Sequence, residues 1–297
     1  LKKKIKIIVF IRCKLKTTNN FILKQNNKKT IYYLDDNLII KPDHFPENII
    51  KRTFTKELID NRKLLIKNVS LVYTSTDFLK NEIYNISKNK NVIANNIVCP
   101  YNLNLINSKK KLKNENDFII GYMGSKSHND DIIFIKDSII KILDKFKYVK
   151  FEMAGTVKAP KEFLLYKKRF KHHGAFSPYN LWLNKLNEIN WDLGLAPCKK
   201  NRFNYSKSPI KLIEYCLCDI PILASNINFY NKVINNGVNG YLVEDNNWYN
   251  KIDNIINNRN NLKIILDNAK KYCLNNFSKE KLENELLNIF TINYSIN

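Results

Sequence analysis

From Phe118 onward, short β-rich runs alternate with longer runs of helical apolar spacing, and no other feature of the sequence constrains the fold as much. The strand-like runs are Phe118–Met123, Val149–Ala154, Trp191–Ala196, Ile220–Ala224 and Tyr241–Val243. Helical spacing covers Asp130–Phe146, Pro178–Glu188, Ser208–Cys216, Phe229–Asn235 and Trp248–Asn257, and two further helices, Asn261–Asn275 and Lys279–Phe290, close the chain. Strand–helix units of this kind build a parallel sheet covered by helices on both faces, the Rossmann-like class.

The first 115 residues show the same alternation in a shorter form. Ile5–Ile11, Thr30–Leu34, Ser70–Ser75 and a weaker Asn91–Val98 read as strands, with helical spacing over Lys56–Lys67 and Thr76–Ser87. All seven glycines lie at or beyond Gly121, and the polar run Asn107–Asn116 just before them reads as a linker. The sequence therefore predicts an α/β protein of two Rossmann-like domains, residues 1–115 and 116–297, the first short of a full set of units. A chain of 297 residues is long enough for both.

The net charge is +23, and Asn alone fills about one position in six. That skew suits an AT-rich genome, whose codons supply Lys and Asn by default. The distribution says more: residues 1–115 hold 24 basic and 9 acidic side chains, and residues 116–297 hold 26 and 18. A first third at net +15 suits an anionic neighbour such as a membrane surface, or simply a solvated lysine-rich exterior. No apolar run approaches the ~18–20 residues that span a bilayer, and the opening Leu1–Ile11 is too short in its apolar part for a signal peptide. The cysteines Cys13, Cys99, Cys198, Cys216, Cys218 and Cys273 form no Cys-x-x-Cys pair. This argues against a zinc site and a disulfide framework and suits a reducing compartment. The expectation is a cytoplasmic protein whose basic first third can dock peripherally on the inner membrane face. No nucleic-acid recognition motif is present, so no nucleic-acid partner is expected.

Two stretches carry binding chemistry. After Phe118–Met123 come Gly124, Ser125, Lys126, Ser127 and His128, then a helix from about Asp130. A glycine-bearing turn there can bring backbone N–H groups against a phosphate, or it can be an ordinary strand–helix turn capped by Asn129 or Asp130. The second stretch is Phe203–Tyr215. Ser208 followed by Pro209 reads as an N-cap and first helical residue, and the free N–H groups of the next turn suit an anion. Lys207, Ile210 and Lys211 line the helix entry, and Glu214 stands three residues after Lys211 on one face. A diphosphate beside Lys211 and ribose hydroxyls beside Glu214 would hold a nucleotide. A capped helix with a surface Lys211–Glu214 pair explains the same residues.

The segments Asn204–Glu214, Asp219–Ser225 and Asn236–Val243 together resemble the carboxyl-terminal half of the family 4 (group 1) glycosyltransferases. Gly121–Ser125, Trp191–Pro197 and Tyr32–Asp36 are similar to a bacterial subgroup that builds surface polysaccharides, and the resemblance runs over roughly residues 28–290. It implies a GT-B fold, two Rossmann-like domains with the nucleotide sugar bound between them, and no cofactor or metal. The implied reaction moves a sugar, with retained configuration, from a nucleoside diphosphate to a polysaccharide or lipid-linked acceptor. Residues 1–115 would form the acceptor side and residues 116–297 the nucleotide-sugar domain. Glu214 would contact the ribose, and Lys126, Lys207 or Lys211 the diphosphate. His173 and Gly174 would pass the nucleotide base, while Asp35 and Asp36 would bind an acceptor hydroxyl or act as base. His44, which follows them, has nothing to mark it as the family's catalytic His.

Three departures qualify the resemblance. Ser206 stands eight residues before Glu214, where the family often has a sugar-binding Glu; Asp219 replaces a usual Gly; and Ser125 stands where many members have a diphosphate-binding Arg. With the short first domain, they keep a second reading open: a non-catalytic remnant that binds nucleotide sugars or another protein.

Overall fold

The computed structural model describes residues 7–14, 16–24, 29–43, 45–87, 91–94 and 100–294; His44 and Cys99 lie outside these. The described chain contains two parallel sheets. The first is built from β1 (Ile7–Ile11), α1 (Lys16–Leu23), β2 (Lys29–Leu34), α2 (Glu47–Thr53), α3 (Lys56–Asn68), β3 (Leu71–Thr74), α4 (Asp77–Ser87) and β4 (Val92–Ala94), with strand order β1-β2-β3-β4. Period-2 alternation sorts its side chains. Tyr32, Leu34 and Val72 pack in one core with Ile22 of α1, Leu65 and Ile66 of α3, and Leu79 and Ile83 of α4. Ile31, Leu71 and Tyr73 form a second core with Leu286 and Ile289 near the end of the chain.

The second sheet follows β5 (Phe118–Gly124), α5 (Asn129–Lys145), β6 (Val149–Gly155), β7 (Phe170–His173), α6 (Tyr179–Ile189), β8 (Leu193–Ala196), α7 (Arg202–Tyr205), α8 (Ile210–Leu217), β9 (Ile222–Ser225), α9 (Asn228–Asn231) and β10 (Tyr241–Val243). Helices α10 (Trp248–Asn257), α11 (Leu262–Phe277) and α12 (Lys279–Tyr294) complete the chain. The strand order is β7-β6-β5-β8-β9-β10, every pair parallel. The strands thus lie in the dinucleotide-type order 3-2-1-4-5-6, in which the winding direction reverses between the first strand and the fourth, here β5 and β8. Crossovers leave that point in opposite directions and open a crevice at the strands' carboxyl ends. The apolar face of α5 explains its place: Ile132, Ile135, Ile139 and Ile142 recur at helical spacing and are all buried.

Two glycines let side chains cross this sheet closely. A Cβ on Gly121 would overlap the Trp191 ring, and one on Gly194 would come within 2.7 Å of the Tyr215 ring. Trp191 is buried and donates Nε1–H to Glu152 Oε2 at 3.0 Å, which satisfies its polar edge.

The compact units divide the chain at other places than a single boundary near residue 115. One comprises residues 1–98, 201–208 and 282–297, the other 99–200 and 209–281. The polar run 107–116 is not a free linker. Asn184 Oδ1 accepts from the N–H groups of Asn107 and Ser108, both at 2.7 Å, and Lys111 N–H donates to Glu188 O at 3.0 Å. Polar composition alone could not distinguish a solvated linker from a strap hydrogen-bonded along α6.

Candidate functional site

The turn after β5 sits at the reversal point of the second sheet. Gly124 ends the strand, residues Lys126–His128 make one 3-10 turn, and α5 begins at Asn129 with His128 in the cap position. Neither Asn129 nor Asp130 therefore caps this helix. Ser125 and Ser127 share a hydroxyl hydrogen bond at 2.8 Å. The Lys126 N–H, a candidate phosphate donor, is committed to Thr156 Oγ1 at 3.1 Å, while its side chain is exposed. A residue not singled out from sequence organises this turn. Asp131 is buried, and its two carboxylate oxygens pair with His128 Nδ1 at 2.8 Å and with the N–H of Lys199 at 3.1 Å. Lys199 follows β8, so Asp131 ties together the two loops that flank the crevice. The His128-x-x-Asp131 spacing was the available signal; the Lys199 contact, 68 residues away, had none.

Helix α8 brings the other candidates. It starts at Ile210, with Pro209 at φ −79°, ψ 37° in the cap position and no side-chain cap, so Ser208 is not the N-cap. The residue before a proline is held away from helical geometry, and here the proline itself has non-helical ψ, which delays the helix by one residue. The stretch also crosses between units: Lys207 and Ser208 belong to the first, and Pro209, Ile210, Lys211 and Glu214 to the second. Lys207 Nζ lies 5.8 Å from the Phe203 ring centroid, within the first unit. Ser206 is fully buried there, its hydroxyl accepting from Asn37 Nδ2 at 3.2 Å and its carbonyl from Thr76 Oγ1 at 3.1 Å. Ser206 is thereby committed to packing and hydrogen bonding within the first unit.

Lys211 and Glu214 are both 8% exposed, so the pair is not a surface ion pair. Lys211 Nζ stands 4.6 Å from the centroid of Tyr122 of β5, a cation–π contact that carries the first turn of α8 to the reversal point. Burial pushes the Glu214 carboxyl up to about 7, against the hydrogen bond from the Tyr179 hydroxyl and the charge of Lys211, which lower it. Tyr179 opens α6 and was invisible from sequence, 35 positions before the acid it supports.

His173 closes β7, where its Nε2 meets Glu152 Oε2 at 2.8 Å; the same oxygen accepts from Trp191. The side chain is thus held within the sheet, whereas Gly174 offers backbone: its carbonyl accepts from Gly155 N–H at 2.8 Å. In the first unit, Asp35 and Asp36 stand at the carboxyl end of β2. Arg12, at the end of β1, reaches Asp35 Oδ1 with Nε at 2.9 Å and Asp36 Oδ2 with Nη2 at 2.6 Å. Burial raises the Asp35 carboxyl above its ordinary value, helped by Asp36 and opposed by Arg12. Among the described residues, no three His, Cys, Asp or Glu side chains gather as a metal site.

Two parallel α/β units, the second with the dinucleotide-type strand order, make the GT-B fold that this chain shares with solved glycosyltransferases. The model of the family described as glycosyl transferases group 1 matches residues 105–272, and the chain belongs to that family. Solved structures share its fold. TarM is 16% identical with a TM-score of 0.67, over 96% of this chain and 54% of TarM. Anabaena Alr3699/HepE, determined in complex with UDP-glucose, is 15% identical with a TM-score of 0.65, over 95% of this chain and 77% of HepE. A glycosyltransferase from Rickettsia africae ESF-5 is 17% identical with a TM-score of 0.68, over 98% of this chain and 78% of its own. The chain thus spans about half the length of TarM and about three quarters of the other two. No curated protein matches the sequence.

Proposed function

We propose that this chain is a glycosyltransferase that takes its sugar from a nucleoside diphosphate bound at the crevice of the second sheet. The observation that carries the reading is the placement of buried Lys211 over Tyr122, which sets a cation and the first turn of α8 beside the Gly124 turn at the reversal point. As the sugar leaves, negative charge gathers on the diphosphate. The N–H groups at the start of α8, the Lys211 ammonium, and Ser125 and Lys126 are the groups assigned to stabilise it. Glu214, steadied by the Tyr179 hydroxyl, is assigned the ribose hydroxyls, and the backbone at His173–Gly174 the base.

The first unit is assigned the acceptor, with Asp35 or Asp36 receiving its hydroxyl. A polysaccharide or lipid-linked acceptor, retention of configuration, a metal-independent reaction and peripheral docking through the basic first third follow the family resemblance and the charge distribution. HepE was solved with UDP-glucose, so uridine diphosphate is the first nucleotide to test.

Calorimetric titration with uridine, guanosine and adenosine diphosphates, and with the matching nucleosides, tests the site. Lys211→Ala should weaken diphosphate binding more than nucleoside binding. If no nucleotide binds, or if both ligands bind Lys211→Ala as they bind the parent, the site assignment fails. Tight nucleotide binding with no transfer to any saccharide acceptor would favour the non-catalytic reading.

A further inference from the structure

Between β6 and β7 the chain runs through a short 3-10 stretch, Lys161–Arg169, that the donor site does not use. Its inward side is firmly anchored. Phe163 is fully buried against Phe151 and Phe170, with ring centroids 5.0 and 5.5 Å away. The Tyr166 hydroxyl donates to Asp144 Oδ1 at 2.8 Å, and Arg169 Nη1 donates to Leu143 O at 2.7 Å. Lys167 has φ 45°, a strained conformation for lysine, which persists only where the surroundings fix it.

Leu164 and Leu165 are 63% and 77% exposed, and they are the only two consecutive large apolar side chains exposed in this way among the described residues. Lys158, Lys161, Lys167, Lys168 and Lys171 surround them in sequence, all exposed, and none forms an ion pair among the described residues. Glu162, the only acid between positions 158 and 171, is paired with Lys136. With Arg169, these fourteen residues carry six basic groups and one acid, a net +5, whereas all of 116–297 carries a net +8. Codon bias spreads lysine along a chain; it does not gather it around an apolar tip.

We propose that this tip is a lipid-docking site. Leu164 and Leu165 enter the boundary between headgroups and acyl chains of an anionic leaflet, while the lysines meet the headgroup phosphates. A nucleic acid would use the lysines and leave both leucines in water, so the leucines favour lipid. The proposal does not depend on the donor site and can fail separately from it.

Co-sedimentation of the full chain with phosphatidylglycerol vesicles and with pure phosphatidylcholine vesicles tests it. Binding to the anionic vesicles alone is expected, weakening as salt screens the lysines. Leu164→Ser with Leu165→Ser should weaken binding by about tenfold or more, and Lys167→Gln with Lys168→Gln by about tenfold or more. Nucleotide binding and melting temperature should not change, because these side chains are exposed. Should the serine variant not fold, Leu165→Cys carrying an environment-sensitive dye should show a blue shift on anionic vesicles only. The proposal is overturned by failure to bind anionic vesicles at low salt, or by binding that survives both double variants. Leucine-dependent self-association without lipid would assign the tip to a second copy instead. Loss of oligonucleotide binding in the glutamine variant, with lipid binding intact, would assign it to nucleic acid.

Discussion

The carboxyl edges of the two sheets handle charge in opposite ways. At the first, Asp35 and Asp36 are held by the forked guanidinium of Arg12, and the cluster is partly open to water, Arg12 being 47% exposed. At the second, Lys211 and Glu214 are nearly inaccessible and are held by aromatic groups, the Tyr122 ring and the Tyr179 hydroxyl. Solvent screens the first arrangement and permits side-chain adjustment; exclusion of solvent from the second makes each missing partner costly. An edge of the first kind suits variable hydroxyl groups. An edge of the second kind suits one ligand held in one geometry.

The largest expected effect comes from the support beneath the second edge. Trp191→Ala removes the ring that lies on Gly121 and strips Glu152 of a hydrogen bond, so unfolding should be easier by about 3–5 kcal/mol. Chemical denaturation followed by circular dichroism measures this. An effect under 1 kcal/mol would mean that the second sheet does not rest on this contact.

Glu214→Gln comes next, and its signature is a dependence on pH. Because burial raises the folded-state carboxyl to about 7, the protonated form favours the fold. That stabilisation is complete below the ordinary value near 4.5 and is lost as pH rises through about 7. The stability of the parent relative to the variant should therefore fall by about 3 kcal/mol between acid and mildly alkaline solution. Nucleotide affinity should change in the opposite sense. The ionised carboxylate accepts more strongly from ribose, so the parent should bind more tightly as pH rises through neutrality, and the variant should show no such rise. At alkaline pH the variant should bind about 1.5–3 kcal/mol more weakly. A flat pH profile in the parent would remove Glu214 from the ribose.

Asp131→Ala should cost about 1.5–3 kcal/mol, the range for a hydrogen bond to a charged acceptor, by releasing His128 and the Lys199 N–H. It should also raise the exchange rate of the Lys199 amide, which a mere loss of packing elsewhere on α5 would leave unchanged. The smallest effect belongs to the first edge. Arg12→Ala should shift stability by under about 1 kcal/mol, because its partners are partly exposed. It should move the Asp35 carboxyl still higher, by removing the charge that opposes the shift. If Asp35 serves as base, the acid limb of the rate profile should move to higher pH; an unmoved limb would leave Asp35 a structural partner of Arg12.

Periodicity made most elements legible. The Ile132–Ile142 face of α5 follows from spacing, because burial on one side selects a period that few other structures share. Strand β2 follows from a short apolar run that is buried on both faces. Elements without that signature were missed. β7 reads Phe-Lys-His-His, a strand with little burial at the edge of the described sheet, and its pairing with β6 decides its conformation. The stretch Lys161–Arg169 buries Phe163 alone and leaves Leu164 and Leu165 exposed, so no apolar face repeats along it.

The sequence by itself determined that this chain builds parallel α/β sheets and belongs with the group 1 glycosyltransferases, because periodicity and ordered short motifs are local properties. It also placed Lys211 and Glu214 on one helix turn. Only the tertiary structure decided that this turn is buried, that Tyr122 and Tyr179 receive its two charged groups, and that Asp131 joins the loops on either side of the crevice. The physical reason is that burial and a hydrogen-bond partner far along the chain are set by strand order, and strand order is not written in any one segment.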